Sequence, residues 1–430
     1  MKEIYLDKIL CFNKSPSIEE LDKLGIKIWE EINLYECEAN KHFDCNRILK
    51  NDIEFIRSKI KNRLIYKDIG NPMNCEAIKS RNLFLNYSSS DKEKQFPIAY
   101  ARIDYRFLEA ELATNYHPQN WYCFAVASKA DESFYKKIKS LANCFENVVI
   151  PKERFSVDSY GHGMGKAHMS CFKELIKKEI KWEYIVTLQN YDIQIKTNEE
   201  MVQIFKWLNG ACDSDFSINS LVHKDRINRL KENFNWTFES LNLFKNETLN
   251  KRFDDKGFPL SLNLATGNVQ TSLARTFVNF LVNKLNLNKM LDQLDNGDYA
   301  SDEFFIQTLL ASNNLKAPNT FPYKCSLFGG ILKKNVIWHY FYNSKYLFLN
   351  KMMPEFDFGA ILCLHEEMRK RTLIEKGIKR LNKTNYLNIQ YLKDLRVRFH
   401  KEWQRTLGNV DIEIKINIKI NFNIQAENLF

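Results

Sequence analysis

From residue 96 to residue 190 the chain alternates short apolar runs with longer stretches in which apolar positions recur every three or four residues. The runs are "FPIAYARI", "NWYCFAVAS", "NVVIPK" and "WEYIVTLQ". Between them lie "DYRFLEAELATNY", "DESFYKKIKSLANCF" and "GKAHMSCFKELIKKEI". Short apolar runs bounded by turn residues predict buried strands, and the 3.6-residue period predicts amphipathic helices. Strands alternating with helices predict a parallel α/β sheet, with a nucleotide site at the C-terminal ends of its strands.

The flanks read differently. Residues 17–65 carry helical spacing in two polar stretches, the second being "CNRILKNDIEFIRSKIKNRL". Residues 66–95 read as loop, 197–256 as helices and loops, and 260–310 as an apolar run followed by helices. Residues 321–349 are rich in aromatics, and "FGAILCLHEEMRKRTLIEKGIKRL" predicts a long late helix. The tail "DIEIKINIKINFNIQAENLF" alternates polar and apolar residues and is low in complexity. The expected division is a helical N-terminal stem and cap over 1–95, an α/β catalytic domain over 96–380, and a helix with a tail over 381–430.

Composition narrows the class. The 430 residues are 44% hydrophobic and 27% charged, with only 14 Gly and 9 Pro, which excludes a disordered or fibrous chain. The net charge of +10 is spread along helical stretches. It suits an anionic substrate such as a nucleotide phosphate, and no nucleic-acid-binding motif accompanies it, so no nucleic-acid partner is expected. The ten cysteines include no CxxC pair, which argues against zinc-ribbon or thioredoxin chemistry. Their wide spacing suits long-range disulfides and an oxidising compartment. Asn-x-Ser/Thr acceptor sites at Asn13, Asn86, Asn235, Asn246 and Asn382 point the same way. Against this, "MKEIYLDKILCFNKSP" lacks the basic start and apolar run of a signal peptide, and no stretch of about 18 apolar residues offers a membrane span. Either the protein is cytosolic with reduced thiols, or a targeting segment lies outside this sequence.

Motifs for familiar nucleotide sites are absent: there is neither GxGxxG nor GxxxxGKS. The literal Asp-x-Asp, Asp213 to Asp215, follows "LNGAC" and reads as a solvated loop rather than a metal ligand pair. His162 and His168 in "GHGMGKAH" are six residues apart with no nearby third ligand, so no metal site is expected there. Lys166 and His168 beside this Gly-rich turn are alternative donor-site residues. In "YASDEFFIQTLL" two acids precede an apolar run. Ser301 or Asp302 can cap a helix, and acids are favoured in a first turn. The same position also suits a carboxylate that takes a proton.

The series "FPIAYARI", "PQNWYCFAV", "ESFYKKIKSLANCFENVVI", "WEYIVTLQNYDIQIKTNEEMVQIFKWLNG", "YASDEFFIQTL" and "YLFLNKMMPEFDFGAILCLHEEMRKR" resembles, in content and order over roughly residues 44–370, the core-2/I-branching β-1,6-N-acetylglucosaminyltransferase family. The resemblance implies a GT-A-type nucleotide-sugar-binding fold: a mostly parallel central sheet flanked by helices, here with an N-terminal helical extension. It implies an inverting transferase without a metal or other cofactor. The donor would be a UDP-sugar, most often UDP-N-acetylglucosamine, and the acceptor a glycan or glycoprotein hydroxyl. It implies a Golgi type II membrane protein, although no anchor is visible in this chain. Glu303 falls on the family's catalytic base, which leaves Asp302 as a cap. Lys351 falls on one of two basic residues that stabilise the departing diphosphate. The other, an Arg, is missing, and Lys324, offset by one residue, is the candidate substitute. Asp192 and Lys196 fit the pattern; Asp192 would hold a substrate hydroxyl or brace a loop.

Departures from the family pattern leave a rival reading open. The Asp that closes the family's nucleotide strand is Ala127 here, so that contact is lost or moved, to neighbours such as Val126 and Ser128 or to Asp131. The Gly-Ser-Ala-Tyr motif appears as Gly267, Asn268, Val269 and Gln270, although Arg275 keeps its spacing. The rival is a catalytically inactive glycan- or partner-binding relative. The resemblance also implies disulfides Cys45–Cys363, Cys75–Cys144 and Cys123–Cys171, each contributing roughly 3–5 kcal/mol by the chain-entropy argument.

Overall fold

A computed structural model describes residues 44–372 apart from 50–51, 60–69, 83, 89, 104–107, 178–179, 218–224, 229, 231–233, 299–300, 321–331, 335–345, 351 and 355–356. The expectations for Lys351, Lys324, the first predicted helix and the C-terminal tail therefore lie outside the described residues.

The predicted α/β alternation is present. Strands β1 (Ile98–Ile103), β2 (Trp121–Ala125), β3 (Val148–Val149) and β4 (Tyr184–Leu188) are mutually parallel where they pair, in the order β3-β2-β1-β4. β1 and β4 are buried at every position, as strands covered on both faces must be. Asn120 fixes the entry to β1: its Oδ1 accepts from the Ile98 N–H at 2.9 Å, and its amide donates to Asn198. Beyond β4 the sheet turns antiparallel. The apolar run after residue 260 becomes β7 (Thr266–Ala274), which pairs antiparallel with β4 and with β6 (Asp213–Ser217). The Asp213-to-Asp215 stretch is thus an edge strand and not a solvated loop. Asp213, Ser214 and Phe216 are buried, and a register shift between Ser214 and Phe216 interrupts the pairing with β7. A small second sheet joins β5 (Ile193–Gln194), β8 (Leu332–Lys334) and β9 (Phe348–Asn350) in the order β5-β9-β8.

The predicted second N-terminal helix is two: α1 (Cys45–Leu49) and α2 (Ile53–Lys59), the latter begun by Asp52, whose carboxylate accepts from the Phe55 N–H. The expected loop over 66–95 contains α3 (Cys75–Arg81), capped by Asn74, and α4 (Asp91–Lys94), capped by Ser90. In the core follow α5 (Leu108–Asn115), α6 (Glu132–Asn143), α7 (Met164–Lys177) and α8 (Asn198–Leu208). Asp131 caps α6, and Thr197 with Glu200 forms a capping box on α8. Then come α9 (Phe238–Leu241), α10 (Arg275–Lys284), α11 (Asn288–Asp295), α12 (Phe305–Ala311) and α13 (Phe358–Lys370).

All three expected disulfides form. Cys45–Cys363 ties α1 to α13, Cys75–Cys144 ties α3 to the end of α6, and Cys123–Cys171 ties β2 to α7 across one face of the sheet. Cys212 is buried, and its sulfur accepts from the Ala274 N–H at 3.4 Å. The acceptor asparagines Asn86, Asn235 and Asn246 are exposed. Among the described residues no helix is long and apolar enough to cross a membrane.

Candidate active site

The C-terminal ends of β1, β2 and β4 share an edge with the N-terminal end of β7, because β7 runs the other way. A polar assembly forms there behind Leu188. Its centre is Asp192, which is fully buried. One carboxylate oxygen accepts from the Gln189 backbone N–H at 2.6 Å and the Gln270 amide at 2.9 Å. The other accepts from the same Gln270 amide at 3.0 Å and from Asn350 at 2.7 Å. Burial pushes the Asp192 carboxyl up from its ordinary value, while these donors and the nearby Arg102 charge pull it down; burial prevails. Of the two roles open from sequence, the geometry favours the brace. Asp192 joins β4's exit to β7 through Gln270 and to β9 through Asn350, the residue just before Lys351.

A second buried layer supports this brace. Arg102, at the end of β1, donates to the Asp192 carbonyl at 3.0 Å and pairs with Glu111 of α5 at 3.4 Å. Glu111 also meets His365 Nε2 of α13 at 2.7 Å. Lys196 is buried at the end of β5, and burial pushes its ammonium down to about 8 against the pull of Glu200. Glu200 itself is gripped by Arg371 through both carboxylate oxygens.

Glu303 closes the short 3₁₀ turn Ser301–Glu303 that leads into α12. Its carboxylate pairs with Arg226, and both side chains are mostly shielded, at 15% and 18% exposed. The capping role read for Ser301 or Asp302 is not found. α12 starts at Phe305 with no side-chain cap bond, because the 3₁₀ turn already carries the chain into the helix. Asp302 instead accepts from the Gln189 amide at 3.2 Å and packs against Gly161. A Cβ on Gly161 would sit 2.1 Å from Asp302 Oδ1, and the residue has φ +90°, so only glycine fits. Gln189 thereby touches three walls: Asp302, Gln270 at 3.1 Å, and Asp192 through its backbone.

The remaining expected positions fall as follows. Val126 and Ser128 do lie at the C-terminal end of β2, Val126 buried and Ser128 exposed. Ala127 is buried, and its carbonyl accepts from Arg154 at 2.7 Å. His168 belongs to the core. It lies 3.3 Å from the Leu188 carbonyl, and burial pushes it down to about 4, which leaves a neutral ring that donates. Lys166 is held by Asp292 at 2.8 Å and Asp295 at 2.9 Å. Arg275 stacks on Trp182 and donates to the Ile180 carbonyl, anchoring the end of β7. Sequence reasoning missed Gln189, Gln270, Asn350, Arg226 and Gly161. Of these only Gln270 left a signal, as a polar residue in place of a motif tyrosine. Among the described residues no group of three or more His, Cys, Asp or Glu could hold a metal ion.

Residues 96–327 match the family model described as Core-2/I-Branching enzyme. Curated relatives agree over a longer span. The chain is 25% identical over 388 residues to the beta-1,3-galactosyl-O-glycosyl-glycoprotein beta-1,6-N-acetylglucosaminyltransferase 3 of Homo sapiens, covering 79% of this chain and 86% of that protein. To the Bos taurus beta-1,3-galactosyl-O-glycosyl-glycoprotein beta-1,6-N-acetylglucosaminyltransferase it is 24% identical over 388 residues, covering 80% and 88%. A Bovine herpesvirus 4 (strain DN-599) protein of the same name is 26% identical over 291 residues, covering 64% and 63%.

Proposed function

Because the chain belongs to the Core-2/I-branching enzyme family, a family of glycosyltransferases, we propose that it transfers N-acetylglucosamine from a UDP-sugar to a glycan hydroxyl with inversion and without a metal. The relatives' β-1,6-N-acetylglucosaminyl activity, on β-1,3-galactosyl-O-glycosyl-glycoproteins, supports the sugar, the linkage and the acceptor class. The observation that carries the reading is the Glu303 carboxylate. It is shielded, paired with Arg226, and set on a turn locked to the strand-end assembly through Asp302 and Gln189.

A sugar hydroxyl is a weak nucleophile until a carboxylate accepts its proton. Glu303 takes that proton as the hydroxyl oxygen bonds to the anomeric carbon and the bond to UDP breaks on the opposite face. One displacement inverts the centre, as in inverting glycosidases. The leaving diphosphate gains charge, which Lys351 and Lys324 would offset in place of a divalent ion. The uridine end would rest on Val126 and Ser128. A secretory-pathway location, with Golgi membrane anchoring as expected for the family, accords with the three disulfides.

The test is UDP release from UDP-N-acetylglucosamine with a β-1,3-galactosyl-O-glycosyl acceptor, in EDTA, for wild type and Glu303→Gln. Loss of roughly 10²–10⁴ in kcat is expected for removal of a general base. Undiminished turnover in the variant would refute the base. Ala127, buried where the family has its nucleotide Asp, favours the second reading, a non-catalytic glycan-binding relative. Wild-type UDP release that vanishes in Glu303→Gln would reject it.

A further inference from the structure

The Gly-rich segment "DSYGHG", residues 158–163, lies against the chain that leads into Glu303. His162 sits between two acceptors: its Nδ1 is 2.8 Å from Asp158 Oδ2 and its Nε2 is 2.8 Å from the Gly297 carbonyl oxygen. A neutral imidazole has one N–H and one lone pair, so it satisfies only one of these; two oxygens call for two N–H donors, the imidazolium. Three further contacts join the same two segments. The Gly163 N–H donates to Asp295 at 2.9 Å, Lys166 bridges Asp292 and Asp295, and Gly161 abuts Asp302.

We propose that His162 is a positioning residue whose proton clasps Gly297 to the 158–163 loop and so holds the Ser301–Glu303 turn, and with it Glu303, in place for the transfer. The proposal rests on Glu303 being the base. Protonated, His162 donates to both oxygens and the turn is fixed at Gly297. Deprotonated, it turns a lone pair on one of them and releases either Asp158 or Gly297.

The surrounding charges keep the proton on. Burial works to lower His162, but the Asp158 hydrogen bond, the Gly297 carbonyl and the charges of Asp158 and Asp295 outweigh it and raise it above the ordinary 6.5. Asp158 is lowered in turn, its hydrogen bonds with His162 outweighing burial. From α7, Lys166 is the cation on this side, and its charge is engaged by Asp292 and Asp295 of α11. Tyr160, on the same loop, has its ring centre 6.2 Å away, and Asp298 and Asp302 flank the contacts at Gly297 and Gly161. A histidine raised on folding stabilises fully below its unfolded value and loses that contribution as pH rises through its folded value. The clasp is therefore closed in mildly acidic solution and opens as pH climbs above 6.5 toward the His162 value.

The experiment uses the disulfide-intact wild-type chain, with no ligand. NMR titration gives the His162 pKa. Hydrogen exchange of peptides spanning 297–304, corrected for intrinsic rates, is followed over the same pH range. Protection should fall by about tenfold through the His162 pKa, the scale of one lost hydrogen bond to a charged group. His162→Gln should show low protection at every pH and no step. With UDP-N-acetylglucosamine and the glycan acceptor, wild-type kcat should fall over the same window with donor KM unchanged. A His162 pKa at or below 6.5, flat protection across its titration, or the same step in His162→Gln would overturn the clasp. The wild-type titration needs no variant to fold. Exchange does not depend on Glu303 being the base, so full activity in Glu303→Gln would defeat that reading alone.

Discussion

Replacing Asp192 by Asn keeps the shape of the side chain and removes its charge. In the native site the carboxylate accepts from three groups: the Gln189 N–H at 2.6 Å, the Gln270 amide at 2.9 and 3.0 Å, and Asn350 at 2.7 Å. A hydrogen bond to a charged group contributes about 1.5–3 kcal/mol and a neutral one about 0.5–1.5 kcal/mol, so three weakened bonds cost about 3 kcal/mol. The new amide N–H points at one of these donors, which adds about 1–3 kcal/mol unless Asn350 turns over to meet it. Against this stands the relief of burying a neutral group instead of a charge, the effect that already pushes this carboxyl up. The net expectation is about 2–4 kcal/mol of lost stability, or about 3–7 °C in Tm for a domain of this size. Thermal unfolding measures the first effect and steady-state kinetics the second. Because Asn350 immediately precedes Lys351, loosening this brace should raise the donor KM and lower kcat together. A Tm shift under about 1 °C, about 0.6 kcal/mol on that scale, together with a change confined to acceptor KM, would refute the brace. It would make Asp192 a substrate contact.

Two further substitutions probe how the site is held. Gly161→Ala places a Cβ 2.1 Å from Asp302 Oδ1, so kcat should fall well beyond any loss in Tm; Gly257→Ala, also at positive φ but with nothing within 4 Å, should cost only about 1–2 kcal/mol of backbone strain and leave activity unchanged. Equal effects of the two on turnover would contradict the packing argument. The double replacement Cys123→Ser with Cys171→Ser opens a loop of sequence separation 48 and should lower denaturant-unfolding stability by about 4 kcal/mol; a loss below about 1 kcal/mol would show that β2 and α7 are held by packing alone.

The parallel half of the fold was legible because a strand buried on both faces must be apolar at nearly every position, and the helices between such strands must be amphipathic. β7 was less so. Its residues 266–274 include Thr266, Asn268, Gln270, Thr271 and Ser272. Those polar residues are buried or half-buried because they pair across strands: Thr187 donates to the Val269 carbonyl and meets Thr271 at 2.8 Å. Hydropathy cannot anticipate a polar strand whose partners are far away in sequence. The Asp213-to-Asp215 strand and the short α3 and α4 escaped for related reasons, one resting on β7 and the others on the side-chain caps Asn74 and Ser90. The disulfide pairing came from resemblance, since ten cysteines alone leave many connectivities open.

The site followed the same division. Residues that act through chemical identity, Glu303 above all, sit in a motif that a sequence can display. Residues that act by holding others in place do so through long-range contacts: Gln189 with Asp302, Asn350 with Asp192, Arg226 with Glu303 and His162 with Gly297. These contacts are polar, whereas the sheet beneath them is fastened by apolar burial and a disulfide. Apolar burial is nearly indifferent to pH, but ion pairs and charged hydrogen bonds are not. The scaffold and the turn carrying Glu303 should therefore respond to pH separately. As pH rises through the titration of His162, the turn loosens while the sheet and its disulfide-tied helices keep their order.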